Sequence, residues 1–263
     1  MAMGIQVKSV YAERLDDIQR QVHALALKPK GFKKQGRTFC RKTADGLVQV
    51  VNFQMGGLGD NEKFWVNLGV RVSECCEMTQ GAVGEKEFYK EYECNIRSRL
   101  NKFTSLKPYK GYADRYFSLI REDTSKVVDE IIMLLKNYAM PFFDDFDSRE
   151  KVLANREKYL SVTSPFNNNW HMEAAIICVH LGDVAGATES MNMAYARSTL
   201  AAHREYLETV ADKLGLVLSP APPIQHAATA ATGQRNRRPV LEALRRLVGR
   251  KHADPDTVPQ AQR

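Results

Sequence analysis

Cysteine is sparse in this chain, and its pattern excludes more than it suggests. The five cysteines are Cys40, Cys75, Cys76, Cys94 and Cys178, an odd number with two of them adjacent and no Cys-x-x-Cys spacing. This is neither a disulfide framework nor a zinc-ribbon pattern, and it predicts reduced thiols in a reducing compartment. Long apolar runs are missing too. None approaches the roughly 18–20 residues that span a bilayer. The opening MAMGIQVKSVYAERLDD has no apolar core of signal-peptide length, and its Gly4 does not match a myristoylation signal. A cytoplasmic location is the expectation.

Recognised catalytic and cofactor motifs are also lacking. Gly56-Gly57-Leu58-Gly59 is rich in glycine, but a strand pattern follows it and no Lys-Ser/Thr does. A phosphate cradle needs a helix N-terminus there, so this stretch reads as a hairpin loop. His171 and His180 are nine residues apart on a predicted helix, which places them on opposite sides. No serine has a Gly-x-Ser-x-Gly setting. Asp144, Asp145 and Asp147 form an acidic knot that reads as charge-matching and capping of the next helix. No metal, cofactor or catalytic residue is therefore expected.

What is present is ordinary globular material. Across 263 residues, 44% are hydrophobic and 26% charged, enough to close a core without staples. The net charge of +7 is unevenly placed. Residues 219–263 hold eight Lys/Arg against three Asp/Glu, while the rest carries thirty against twenty-eight. The basic pI is thus mainly a property of the tail and says little about the folded part.

Periodicity supplies the organisation. Leu15, Ile18, Val22 and Leu25 recur at spacings of three and four, predicting a helix over 12–27 that Pro29 and Gly31 end. Residues 37–42 and 47–54 read as strands joined by an Asp45-Gly46 turn. Phe64, Val66, Leu68, Val70 and Val72 alternate with Trp65, Asn67, Gly69 and Arg71, so this strand is expected to bury one face and leave the other wetter. Residues 94–100 give a fourth strand and 112–120 a fifth. Helices are predicted from Asp123 or Thr124 to Tyr138, stopped by Pro141; from Asp147 or Ser148 to Leu160; over 170–181; and over 184–214. Strands followed by helices indicate the α+β class. The expected form is an antiparallel meander of about four to five strands, packed by an N-terminal helix and several C-terminal helices. The predicted plan is an α+β domain at 1–160, a helical hairpin packed on it at 161–218, and a disordered linker with a short basic amphipathic helix at 219–263.

Several short signatures in order resemble one family. They are Gly31-Phe32-Lys33-Lys34, Phe39 with Arg41, Asn52-Phe53-Gln54, Val66-Asn67-Leu68-Gly69-Val70, Cys94 with Arg97, Arg99 and Leu100, and Pro141-Phe142-Phe143-Asp144. Together, over roughly residues 15–158, they are similar to domain-of-unknown-function family 4304. The resemblance implies a small bacterial α+β module and brings no catalytic residue with it. The segment 74–92 looks longer and more acidic than the family pattern.

Charge supplies the candidate site. Seven basic residues and no acidic one lie between Lys28 and Lys42; five more, again without an acid, lie between Cys94 and Ala113. Arg97 and Arg99 are two apart and share a strand face, and paired guanidinium groups suit carboxylate or phosphate. Arg41, Gln54, Asn67, Arg97 and Arg99 are the expected binding residues on an open sheet face. The same charges also suit an edge strand that resists pairing with other chains. Three functions follow. The first is a non-enzymatic binding module, antitoxin- or immunity-like, meeting a protein or other anionic partner. The second is a nucleic-acid binder using the basic strands and tail. The third is an enzyme acting on a nucleotide or phosphorylated ligand. The last basic helix offers no strong reason to expect membrane-surface contact.

Overall fold

The computed structural model describes residues 9–57, 59–81, 84–103, 116–163 and 169–220. The predicted tail helix and the first part of the predicted fifth strand lie outside the described residues. Helix α1 (Val10–Val22) starts at Ser9, whose hydroxyl accepts from the Ala12 N–H, and it buries Leu15, Ile18 and Val22. A π-helical turn (His23–Leu27) follows. Its extra residue per turn slips the apolar stripe, which is why Leu25, expected inside, is 65% exposed while Leu27 is buried. Gly31 closes the segment in the left-handed region at φ 83°.

The sheet is antiparallel in the order β1 (Lys33–Gln35), β2 (Thr38–Lys42), β3 (Val48–Met55), β4 (Lys63–Arg71), β5 (Ile96–Arg99), with β6 (Phe117–Ser118) also paired to β4. The meander, the Asp45-Gly46 turn and the α+β class agree with the sequence patterns. Strands β5 and β6 share one edge of β4, along Asn67–Val70 and Lys63–Phe64 respectively. The inner face carries Phe39, Val51, Phe53, Phe64, Val66, Leu68, Val70 and Ile96, which join one core with residues of α1 and of the later helices.

Two helix expectations need correction. Pro141 does not stop its helix. After α3 (Ser125–Leu134) comes a π-helical turn (Leu135–Ala139), and α4 (Met140–Asp144) takes Pro141 in its first turn, where no N–H is required. The long helix over 184–214 is two helices, α7 (Val184–Arg197) and α8 (Ala201–Leu214). The break contains neither Pro nor Gly. Ser198 turns extended at ψ 122°, its hydroxyl contacts the His203 ring and its carbonyl accepts from Arg204. Local polar bonds of this kind compete with the helix ladder.

The remaining helices are α2 (Ser73–Gln80), α5 (Arg149–Asn155) and α6 (Trp170–His180). Helix α5 is capped by Ser148, which accepts from the Lys151 N–H. The acidic knot is not the cap: Asp145 accepts from Lys158 and Tyr159 and Asp147 from Lys151. Arg149 links α5 to the β2–β3 turn and to α2 by bonds to Asp45 and Glu74. Among the described residues no helix is long and apolar enough to cross a membrane.

Candidate functional site

Strand register decides which of the five expected residues meet. Arg41 pairs with Gln49, and Asn52 with Asn67; Asn67 in turn pairs with Arg99. Directly paired residues share a face, and neighbours along a strand do not. Gln54, Asn67, Arg97 and Arg99 therefore lie on the outer face of the sheet. Arg41 lies on the inner face, so the expected five-residue patch is a four-residue patch.

Arg41 is built into the fold. Its guanidinium sits 4.9 Å from the Phe32 ring centroid. It donates to Gln49 Oε1 at 2.8 and 2.5 Å and to the Lys30 carbonyl at 3.0 Å. Gln49, fully buried, passes its own amide to the Phe143 carbonyl at 2.6 Å. Phe32 and Phe143 contact at 5.6 Å, and Asp144 comes within 3.9 Å of Arg41. One network thus ties the Gly31-Phe32 and Phe143-Asp144 signatures together. Gln49 was hidden from sequence reading inside an apolar strand.

The outer face has two halves. In the open half, Asn67 donates to Gln54 Oε1 at 2.8 Å, and Asn52 donates to Thr38 at 3.0 Å. Arg99 stacks on Trp65 at 5.4 Å, Trp65 meets Tyr116 edge-on at 6.4 Å, and Lys63 lies over Tyr116 at 4.9 Å. The Trp65 indole nitrogen is buried with no hydrogen-bond partner among the described residues. Gln54 is exposed, Asn67 is buried, and Trp65, Arg97 and Arg99 are half-buried. Arg97 is engaged: its Nε donates to Glu91 at 2.8 Å and its Nη2 contacts the same carboxylate. Trp65 and Tyr116 were not on the expected list. Trp65 was visible in the alternation of β4, as the large aromatic on its wetter side.

In the other half the expected wetness is absent. The connection from α2 to β5 folds over it, and Cys40, Val48, Val50, Tyr89 and Cys94 form a second small core. A Cβ at Gly69 would meet Cys94 Sγ at 2.7 Å, so only glycine fits beneath this cover. Arg71 is buried there, with its guanidinium 4.5 Å from the Tyr89 ring and donating to the Glu93 carbonyl at 2.7 Å.

The family model described as Domain of unknown function (DUF4304) matches residues 23–145. The chain carries a DUF4304 domain. No curated protein and no solved structure matches the chain. The match spans the whole sheet, both halves of its outer face and the Arg41 network, and it ends at Asp145. Helices α5 to α8 lie beyond the DUF4304 segment but add residues to the same inner core.

The cover of the DUF4304 outer face rests partly on charge. Residues 84–90 form a strap without regular structure. Glu85 pairs with Lys42 at 2.6 Å, Glu87 with Lys33 at 2.9 Å, and Glu93 with Lys86 at 2.8 Å. The basic run between Lys28 and Lys42 thus meets acids from the segment that looked too long for the family.

The thiols beneath are poor nucleophiles. Burial pushes the Cys76 thiol up to about 11, with Arg71 only partly opposing it. Burial likewise raises Cys94 and Cys75 well above the ordinary thiol range. Thiolates are the reactive and metal-binding form, so these residues serve packing. All five cysteines are free and buried.

One other arrangement looks catalytic at first sight. Ser198 Oγ lies 2.9 Å from His203 Nδ1, and His203 Nε2 lies 3.2 Å from Asn169 Oδ1. Ser198 is 5% exposed and terminates α7, which puts its hydroxyl out of a substrate's reach. Among the described residues no group of three His, Cys, Asp or Glu is placed to hold a metal ion.

Proposed function

We propose that this protein is a non-catalytic bacterial binding module, of the antitoxin or immunity type, which captures a protein partner with the open half of its outer sheet face. The carrying observation is the contact chain Arg99–Trp65–Tyr116 beside exposed Gln54. Tryptophan, tyrosine and arginine dominate the energetic centres of protein interfaces. Their side chains here are held by mutual contact, which lowers the ordering cost of binding. A half-buried Trp65 whose indole N–H has no partner among the described residues gains one if a partner supplies a carbonyl. Gln54 and Asn67 add directional donors and acceptors at the rim.

The test is co-purification from the native host with the wild-type chain and with Trp65→Ala/Arg99→Ala. The double variant is expected to lose its partner while its melting temperature stays close to wild type. Unchanged capture would refute the assignment of this face. A second reading draws on the same aromatics: bases stack on tryptophan and tyrosine, and basic strands attract phosphates. It predicts binding to single-stranded oligonucleotide that falls steeply with salt and fails in the same variant.

A further inference from the structure

At the covered end of the outer face a groove of about 740 Å³ runs along the sheet edge, lined by Lys33, Lys42, Lys86, Glu85, Glu87 and Tyr89 among others. We infer that Lys33 and Lys42 form a docking site for an acidic peptide segment of the partner protein, and that the strap's Glu85 and Glu87 occupy it as a built-in competitor. The inference rests on the reading of the domain as a protein-binding module and names the chemistry of that partner.

The charges carry the argument. Strands β1 and β2 present Lys33 and Lys42 on the outer face, since Lys33 pairs with Cys40 and Lys42 with Val48 in register. Lys28 and Lys30, exposed before β1, extend the positive field. The lysines are met by two carboxylates from a single short stretch of chain, Glu85 and Glu87. A partner's acidic segment with carboxylates two apart would present the same spacing. The ammonium group of a lysine pairs with carboxylates from any direction, so exchange demands no special geometry.

The hold of the strap is weak where it matters. In both pairs the side chains are mostly exposed, 73% and 64% for Lys33–Glu87, and 59% and 78% for Lys42–Glu85. Exposed pairs contribute little and are screened by salt. Among the described residues no main-chain hydrogen bond ties 84–88 to the sheet. The firm anchor comes later, at Tyr89, which is 4% exposed and accepts from Cys40 through its carbonyl at 3.5 Å. Residues 84–87 can therefore lift while Tyr89 and the small core beneath stay in place, giving up the bonds of Lys86 to the Tyr89 hydroxyl and to Glu93.

The experiment measures fluorescence polarisation of a labelled oligoglutamate peptide with the full chain at low salt. Three proteins are compared: wild type, Glu85→Gln/Glu87→Gln, and Lys33→Gln/Lys42→Gln, each checked for an unchanged melting curve. Removing the strap's carboxylates is expected to tighten binding by about 2- to 10-fold, the range two exposed ion pairs supply. Removing the lysines is expected to weaken it by a similar factor. Equal affinity in wild type and the glutamine strap variant overturns the competitor role. Equal affinity after lysine replacement, with the basic tail doing the binding, overturns the site. A short thymidine oligonucleotide serves as the parallel probe: Lys33- and Lys42-dependent binding of it, without binding of oligoglutamate, overturns the acidic-peptide assignment. Failure here with intact Trp65-dependent capture refutes only the lysine site; the converse refutes only the open-face reading.

Discussion

The two halves of the outer sheet face are made by the same strands and have opposite characters. Toward Arg71 the face is sealed by Tyr89, Cys94 and the strap, and Arg71 turns one guanidinium N–H to the Glu93 carbonyl inside the molecule. Toward Trp65 the face keeps exposed Gln54, and its aromatics contact one another. The difference teaches where to look for function. Buried arginine and cysteine, chemically the more eye-catching groups, sit in the half that serves stability.

The sharpest way to break the comparison is Arg71→Ala. It leaves the Glu93 carbonyl with only the weak Cys76 thiol donor and empties the space over Tyr89, a loss of about 2–3 kcal/mol. Urea unfolding should show it as a lowered midpoint, whereas Arg97→Ala, which breaks a half-buried pair with Glu91, should cost less, about 1 kcal/mol. Gly69→Ala comes next. Its new methyl must displace Cys94, at about 1–2 kcal/mol by overpacking, read as a drop in melting temperature.

Alkaline titration sharpens the contrast further. The covered thiols have raised pKa values in the folded state, Cys76 reaching about 11. Their contribution is fully present below the ordinary thiol value near 9 and is lost as pH rises through the folded value. Ultraviolet thiolate absorbance should thus appear at lower pH in unfolded than in native protein. Acidification acts on the strap in the opposite sense. Lys42 holds Glu85 below the usual carboxylate range. Burial works against Glu93, but bonds from Lys86 and the Lys90 N–H outweigh it and hold it low as well. Depressed carboxylates contribute above their unfolded value, about 4.3, and that contribution fades as pH falls through the folded one. Hydrogen exchange over 90–94, where the Lys90, Glu93 and Cys94 amides are bonded, should, corrected for intrinsic rates, accelerate there and not over β3. A small effect belongs to Gln54→Ala, which removes the acceptor of the buried Asn67 amide and is expected to lower stability by about 1 kcal/mol.

Much of the fold was legible because the physics was local. Alternation in 64–72 gave β4, Asp45-Gly46 gave the hairpin, and Gly182 and Gly215 marked helix ends at φ 80° and 68°. Strand β1 was missed because its three residues, Lys33–Gln35, are all exposed and carry no period. Helix α2 was missed because its inward side is chiefly Cys75 and Cys76, which sequence reading took as reduced thiols without giving them a place in an apolar stripe. The site was half legible. Gln54, Asn67, Arg97 and Arg99 could be named from strand composition, but whether Arg41 joins them depends on register, and a one-residue change would invert the answer. The cover over half the face was illegible because it depends on a connection with no regular structure.

Gln49 has a consequence for how the chain is made. Its amide finds the Phe143 carbonyl across 94 residues of sequence. While the chain emerges from the ribosome, the β2–β3 hairpin is complete long before that carbonyl exists. Until Phe143 arrives, the hairpin must keep Gln49 in water, with the core of the sheet unsealed. Stable protection of β3 during synthesis should thus await the emergence of α4, and chains arrested before it should remain open to protease.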